Sequence, residues 1–272
     1  MKKLALVALV LAACSSGEDE EDYSELDDID AIAGKADGFS SWEMVGTGVA
    51  FDQVNTGHAV LIAYGGYTAK LSETAAWATE LVDEKLGAAD VGYIFAVRGP
   101  ADPGYAAREI ANTKLRAKLA TFDDGTAPIY IVAHSSGSYV AHELLGQVNN
   151  ANHALLGRMS YANLDGGGSG LSSTITNALA HMEFVYARDP VAGLSKNAGA
   201  AMSLASSYAP HATVFEVRVP GTGCSSGAGW CLHDVVITHR PHNPSTFDLA
   251  RDYTDFVNRP VTTEYLDPML AP

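Results

Sequence analysis

The sequence predicts an α/β protein in which helices cover both faces of a mostly parallel central sheet. Short, continuously apolar runs recur along the chain, and segments with helical periodicity separate them. Parallel strands buried on both faces are apolar throughout, and each needs a crossover connection, which is usually a helix. With 272 residues, 47% of them hydrophobic, the chain is long enough to bury a large core in one domain.

The predicted strands and helices alternate from residue 58 onward. The apolar runs predict six strands, at residues 58–63, 91–97, 127–133, 158–164, 182–187 and 213–219. Helical patterns predict helices at residues 74–86, 105–119, 137–148, 196–208 and 246–257, with Ser245 as the N-cap of the last one. In a sheet of this kind, ligands bind beyond the carboxyl ends of the strands.

The first residues of the chain indicate export. Lys2 and Lys3 precede an apolar run over residues 4–13, which is too short to span a bilayer. The run ends in Leu-Ala-Ala-Cys14, which resembles the lipobox of bacterial lipoproteins. The resemblance implies a signal peptide at 1–13 and acyl chains on Cys14, and Ser15 after it favours the outer membrane. The expected location is therefore the bacterial cell envelope, lipid-anchored, or secretion if the Cys is incidental to an ordinary signal peptide.

Most of the net charge of −15 lies just after this leader. Residues 15–40 hold ten Asp and Glu side chains against Lys35 alone and few large apolar groups, so they cannot form a core. We expect residues 14–40 to be an acidic disordered tether and residues 41–272 to be the folded domain. Because no cluster of basic residues is present, nucleic acid is not an expected partner.

Two further cysteines, Cys224 and Cys231, enclose a short segment rich in Gly and Ser. In an oxidising compartment such a pair predicts a disulfide, with two free thiols as the alternative. The pair offers too few ligands for a cysteine zinc site.

The central motif is Ala133-His134-Ser135-Ser136-Gly137, which follows an apolar strand and precedes a helix. It resembles the nucleophile elbow of the α/β-hydrolases, G-x-S-x-G, with Ala133 in place of the first glycine. The resemblance implies an α/β-hydrolase fold over about residues 45–258. It also implies that Ser135 is the nucleophile and that the N–H of Ser136 contributes to the oxyanion hole.

The second part of the oxyanion hole is expected in the loop Tyr64-Gly65-Gly66-Tyr67, which follows the first predicted strand. Glycines let the backbone turn its N–H groups toward a substrate, so the candidates are Gly66 and Tyr67. An ordinary turn is the alternative interpretation.

The family order of Ser, acid and His places the acid after a late strand. Asp189, in Asp189-Pro190-Val191, is the first candidate, because this turn is similar to that of many lipases and esterases. Asp165, at the end of the preceding strand, is the alternative, because animal-type lipases carry their acid there.

The base is expected among His233, His242 and His239, in that order. His233 follows Cys231, and in some lipases the catalytic His lies just beyond a disulfide. A metal site is not predicted, because the spacing of these residues fits no closed zinc signature.

These residues together predict a serine hydrolase that cleaves carboxylic esters through an acyl-enzyme on Ser135, with a small-molecule or lipid ester as substrate and no cofactor. An amidase, peptidase or acyltransferase using the same triad is one alternative. A non-catalytic surface-binding protein that keeps the fold is the other. The segment 166–180 is the expected position of any lid.

Overall fold

The computed structural model describes residues 42–67, 69–82, 91–100, 105–166, 171–188, 208, 212–218 and 233. Eight strands form one sheet: β1 (Glu43–Gly46), β2 (Val49–Gln53), β3 (Ala59–Tyr64), β4 (Val91–Val97), β5 (Ile129–His134), β6 (Met159–Leu164), β7 (His181–Arg188) and β8 (Thr213–Arg218). The described helices are α1 (Leu71–Glu80), α2 (Tyr105–Leu119), α3 (Gly137–Asn152) and α4 (Ser173–Thr176), with a 3₁₀ segment at His153–Arg158.

The strand order across the sheet is β1-β2-β4-β3-β5-β6-β7-β8. The first two strands pair antiparallel with each other, and β2 is antiparallel to β4; every pairing from β4 to β8 is parallel. The chain moves one way from β3 to β4 and the other way from β5 to β6. The sheet therefore has a topological switch point at the carboxyl ends of β3 and β5, the position where such sheets bind ligands.

The central strands are buried on both faces, as their sequences predict. Every residue of β3, β5 and β6 is buried. On one face, Ile62, Ile131 and Tyr161 pack into a core with Leu115 of α2 and Leu144 of α3. The opposite face carries Leu61 and Ile94, and α1 buries Leu71, Ala75 and Ala78 there. Burial of this apolar surface is the main stabilising contribution to the domain.

The described strands and helices match the predicted ones to within a few residues, and β1, β2, α4 and the 3₁₀ segment are additional to them. The antiparallel strands β1 and β2 were not predicted, because they are short and lie at the sheet edge. Helix α1 begins at Leu71, before the predicted residue 74. The earlier start follows from the N-terminal turn, where the Glu73 carboxylate accepts the Lys70 backbone N–H at 2.9 Å. The predicted helices at 196–208 and 246–257 lie outside the described residues, apart from Tyr208.

Residues 171–180, within the segment where any lid was expected, pack against the core. Ile175 and Leu179 are buried, and the N–H of Ala180 donates to the carbonyl of Met159, the first residue of β6. Residues 171–180 thus lead to the amino ends of the strands, away from the switch point.

Among the described residues, no helix is both long and apolar enough to cross a membrane.

Candidate active site

Ser135 lies at the turn between β5 and α3, at the carboxyl edge of the sheet. Its φ of 52° is in the left-handed region, which costs a non-glycine residue about 1–3 kcal/mol. The surrounding contacts hold this conformation: the Ser135 N–H donates to the Leu164 carbonyl at 3.0 Å, and the Ser138 hydroxyl donates to the Ser135 carbonyl at 2.8 Å. The turn is therefore a strained strand-to-helix elbow.

Small residues allow α3 to begin against the loop that follows β3. A Cβ on Gly137 would lie 2.4 Å from the Gly65 carbonyl oxygen, so only glycine fits there. Ala133 is fully buried between Tyr64 of β3 and Asn163 of β6. The motif therefore needs glycine at its last position but accepts alanine at its first.

The loop after β3 brings Gly66 against the elbow. A Cβ on Gly66 would lie 2.9 Å from Nδ1 of His134 and 3.3 Å from Cβ of Ser135. The Gly66 carbonyl accepts the Ala69 N–H at 3.0 Å, and Gly99 packs so closely on this carbonyl that a Cβ there would lie 1.5 Å from it. The Gly66 backbone is thus braced beside Ser135. Tyr67, the next residue, is 61% exposed.

Asp165 follows β6, the strand next to the elbow. It is fully buried, and its φ of 49° makes it, with Ser135, one of two non-glycine residues described with positive φ. Its N–H donates to the Val185 carbonyl at 2.6 Å, and the following residue, Gly166, donates its N–H to Oδ1 of Asn163 at 2.9 Å. These bonds hold the carboxylate at the carboxyl edge of the sheet.

His233 contacts this carboxylate directly. Its Nδ1 lies 2.5 Å from Oδ2 of Asp165, and both side chains are almost completely buried. Because a carboxylate only accepts hydrogen bonds, Nδ1 of His233 carries the hydrogen. In the neutral imidazole, Nε2 then holds the lone pair that a general base requires. The imidazole also lies close to that of His134, with ring centroids 4.5 Å apart.

Helix α3 rests on a layer of buried, uncharged polar groups. Burial raises the pKa of Tyr64 and Tyr161 well above the usual tyrosine value, so both hydroxyls stay protonated. Tyr64 donates to Oδ1 of Asn112 at 2.9 Å, and Nδ2 of Asn112 donates to the Val140 carbonyl at 2.7 Å. This chain of bonds ties β3 and α2 to the first turns of the helix behind Ser135.

Within the described parts of the chain, no group of three His, Cys, Asp or Glu side chains could hold a metal ion.

The structure thus brings together, at one edge of the sheet, six residues that the sequence singled out: Ser135, Ser136, Gly66, Tyr67, Asp165 and His233. The pairing of His233 is with Asp165, the alternative acid. The first candidate, Asp189, lies outside the described residues, as do Cys14, Cys224, Cys231, His239 and His242. The lipid anchor and the disulfide therefore stay predictions.

One residue of this site received no role from the sequence. His134 occupies the unspecified position before the nucleophile, and its Nε2 lies 3.1 Å from the His233 carbonyl oxygen. The motif itself carries no signal for this contact, because its partner is 99 residues further along the chain.

Comparison with known proteins finds likeness in fold and not in sequence. No protein-family model matches the chain, and no curated protein matches it. The chain is similar to a hyperthermophilic esterase from the archaeon Pyrobaculum calidifontis, at 11% identity over 70% of this chain and 77% of that one, with a TM-score of 0.47. It is also similar to an esterase/lipase from an uncultured bacterium (15% identity, 71% and 80%, TM-score 0.44) and to a truncated carbohydrate esterase from gut microbiota (13%, 72% and 93%, 0.42).

The mostly parallel sheet and the strand–elbow–helix unit at Ser135 give this chain an α/β-hydrolase-like fold. Fold alone does not specify a reaction, so the function has to be argued from the site.

Proposed function

We propose that this protein is a serine hydrolase that cleaves carboxylic esters through an acyl-enzyme on Ser135. His233 is the general base, and Asp165 is the carboxylate of the triad that orients it. The observation that carries the proposal is the buried contact between His233 and Asp165 directly beside the strained Ser135 elbow. A buried carboxylate is costly unless a partner compensates it, and the imidazole provides that compensation. Asp165 therefore replaces Asp189 as the preferred acid.

In the first step, the Ser135 hydroxyl attacks the ester carbonyl while its proton moves to Nε2 of His233. The carbonyl oxygen becomes an oxyanion, which the N–H groups of Ser136 and of Gly66 or Tyr67 stabilise. Asp165 keeps Nδ1 protonated and stabilises the imidazolium that forms. The amino terminus of α3 points its dipole at the developing negative charge and adds to this stabilisation.

Collapse of the tetrahedral intermediate breaks the bond to the leaving alkoxide, which takes the proton from His233 and departs as an alcohol. A water molecule then attacks the acyl-enzyme and gives its proton to His233. When the second intermediate collapses, that proton returns to Ser135 and the carboxylic acid is released. His233 thus acts as base and acid once in each half of the reaction.

Two measurements on one preparation test the proposal. The native protein should hydrolyse short-chain p-nitrophenyl esters and react with a fluorophosphonate at Ser135, as located by peptide mass spectrometry. Ser135→Ala should lose both properties, while Ser173→Ala, in the short helix α4, should keep them. The absence of both ester turnover and labelling in the native protein would contradict the proposal. Labelling without ester turnover would redirect the substrate search to amides.

A further inference from the structure

His134 is buried at the carboxyl end of β5, immediately before the nucleophile. Its Nε2 lies 3.1 Å from the backbone carbonyl oxygen of His233. Because that oxygen only accepts hydrogen bonds, Nε2 of His134 is the donor. A side chain fixed to the strand that carries Ser135 therefore bonds to the backbone of the proposed base.

This bond complements the one made by Asp165. The carboxylate contacts the imidazole of His233 through Nδ1, which fixes the tautomer and one edge of the ring. The bond from His134 fixes the peptide from which the ring projects. Held at its backbone and at Nδ1, the ring has far fewer orientations available to Nε2, the atom that must face Ser135.

The opposite edge of the His134 ring lies against the glycine loop. Its Nδ1 is so near Gly66 that a Cβ added there would approach it to 2.9 Å. The planes of the two imidazole rings are tilted by 39° relative to each other, and the ring centroids lie 4.5 Å apart. The ring of His134 thus fills the space between the proposed oxyanion loop and the proposed base.

We propose that His134 is a positioning residue, which holds the backbone of His233 and spaces it from Gly66 so that base and oxyanion loop stay aligned on Ser135. The inference rests on the proposed function. The motif G-x-S-x-G leaves this position unspecified, so the role belongs to the contacts of this chain and not to the motif.

Two substitutions separate the ring from the hydrogen bond. His134→Phe keeps a flat ring of similar size but removes the donor, whereas His134→Gln places an amide N–H₂ near the position of Nε2. We expect Phe to lower kcat by about 10- to 100-fold with KM changed less than about threefold, because a positioning defect acts on the transition state. Gln should recover most of that loss.

The same variants provide a readout that does not depend on turnover. The Nδ1–H of His233, hydrogen-bonded to a buried carboxylate, should give a low-field proton NMR signal, which Asp165→Asn identifies by removing it. That signal should broaden or vanish in His134→Phe and return in His134→Gln. His153→Phe and His153→Gln, at an exposed histidine, should leave both signal and kcat as in the native protein.

An unchanged signal in His134→Phe overturns the inference, as does an equal fall in kcat for the Phe and Gln variants. Melting temperatures within a few degrees of the native value show that each variant is folded. If the native protein shows no turnover and no labelling of Ser135, the proposed function fails, and the NMR signal still decides whether His134 positions His233.

Discussion

At the scale of single residues, the site depends on two positions where the backbone is strained. Ser135 and Asp165 both have left-handed φ values, and each directly follows one of two neighbouring strands, β5 and β6. Such strain persists only where surrounding contacts over-determine it, and it concentrates at functional sites. Here the Ser135 N–H bonds to Leu164, the residue just before Asp165, so the two strained turns support one another.

At the same scale, we predict that Asp165, and not Asp189, supplies the carboxylate that orients His233. Asp165→Asn should lower kcat for a p-nitrophenyl ester by about 10³- to 10⁴-fold, because an amide permits the tautomer in which Nε2 of His233 is protonated and cannot act as base. Asparagine also tolerates a left-handed φ, so the fold should be kept. Asp189→Asn, compared in the same assay, should change kcat less than about threefold. The reverse order of the two effects would return the role to Asp189.

At the scale of elements, the start of α3 is limited by its contact with the loop after β3. Its first residue, Gly137, has no space for a side chain, whereas Gly146 in the middle of the same helix has no atom within 4 Å of an added Cβ. The two glycines therefore differ in what restricts them: the first is required by a backbone contact, and the second only weakens the helix.

The pair Gly137→Ala and Gly146→Ala tests this difference. Gly137→Ala should lower the free energy of unfolding and reduce Ser135 labelling, since the backbone of Gly65 must move away from the new methyl group. Gly146→Ala should raise the free energy of unfolding by about 0.5–1 kcal/mol, because glycine is a poor helix former. Urea denaturation followed by circular dichroism measures both. Equal effects of the two substitutions would contradict the steric account.

At the scale of the whole molecule, stability depends on pH through a buried carboxyl group that is not part of the proposed triad. Glu183 on β7 is fully buried, and burial raises its pKa, although His181 opposes that shift by donating to Oε1 at 3.0 Å. Its second oxygen has no hydrogen-bond partner among the described residues. Ionising Glu183 is therefore more costly in the folded chain than in the unfolded one.

The sign of the effect follows from that raised pKa. In the native protein, the contribution of Glu183 to stability is present below its unfolded pKa, about 4.3, and is lost as pH rises through the higher folded value. Glu183→Gln should therefore raise the melting temperature at pH 7–8, and the gain should shrink toward pH 4. Glu109→Gln, at an exposed position, is the control. A gain for Glu183→Gln that stays constant from pH 4 to pH 8 would refute the linkage.

The repeating strands and helices could be predicted because local sequence determines them. Strand β4 and helix α2 have the predicted bounds, and the burial of β3, β5 and β6 on both faces is what their unbroken apolar runs imply. Strands β1 and β2 could not be predicted, since their short sequences become strands only by pairing with β4 and with each other.

The sequence by itself determined the fold class and the proposed nucleophile, because both depend on contiguous residues: an apolar strand, a serine between small side chains and a helix. Only the tertiary structure showed that the carboxylate facing His233 is that of Asp165. It also showed that His134 contacts the backbone of His233. Asp165 and His134 lie 68 and 99 residues away from His233 along the chain. Such pairs form because the order of the strands and the course of the loops bring residues that are distant in sequence to one edge of the sheet. No local sequence pattern encodes that arrangement.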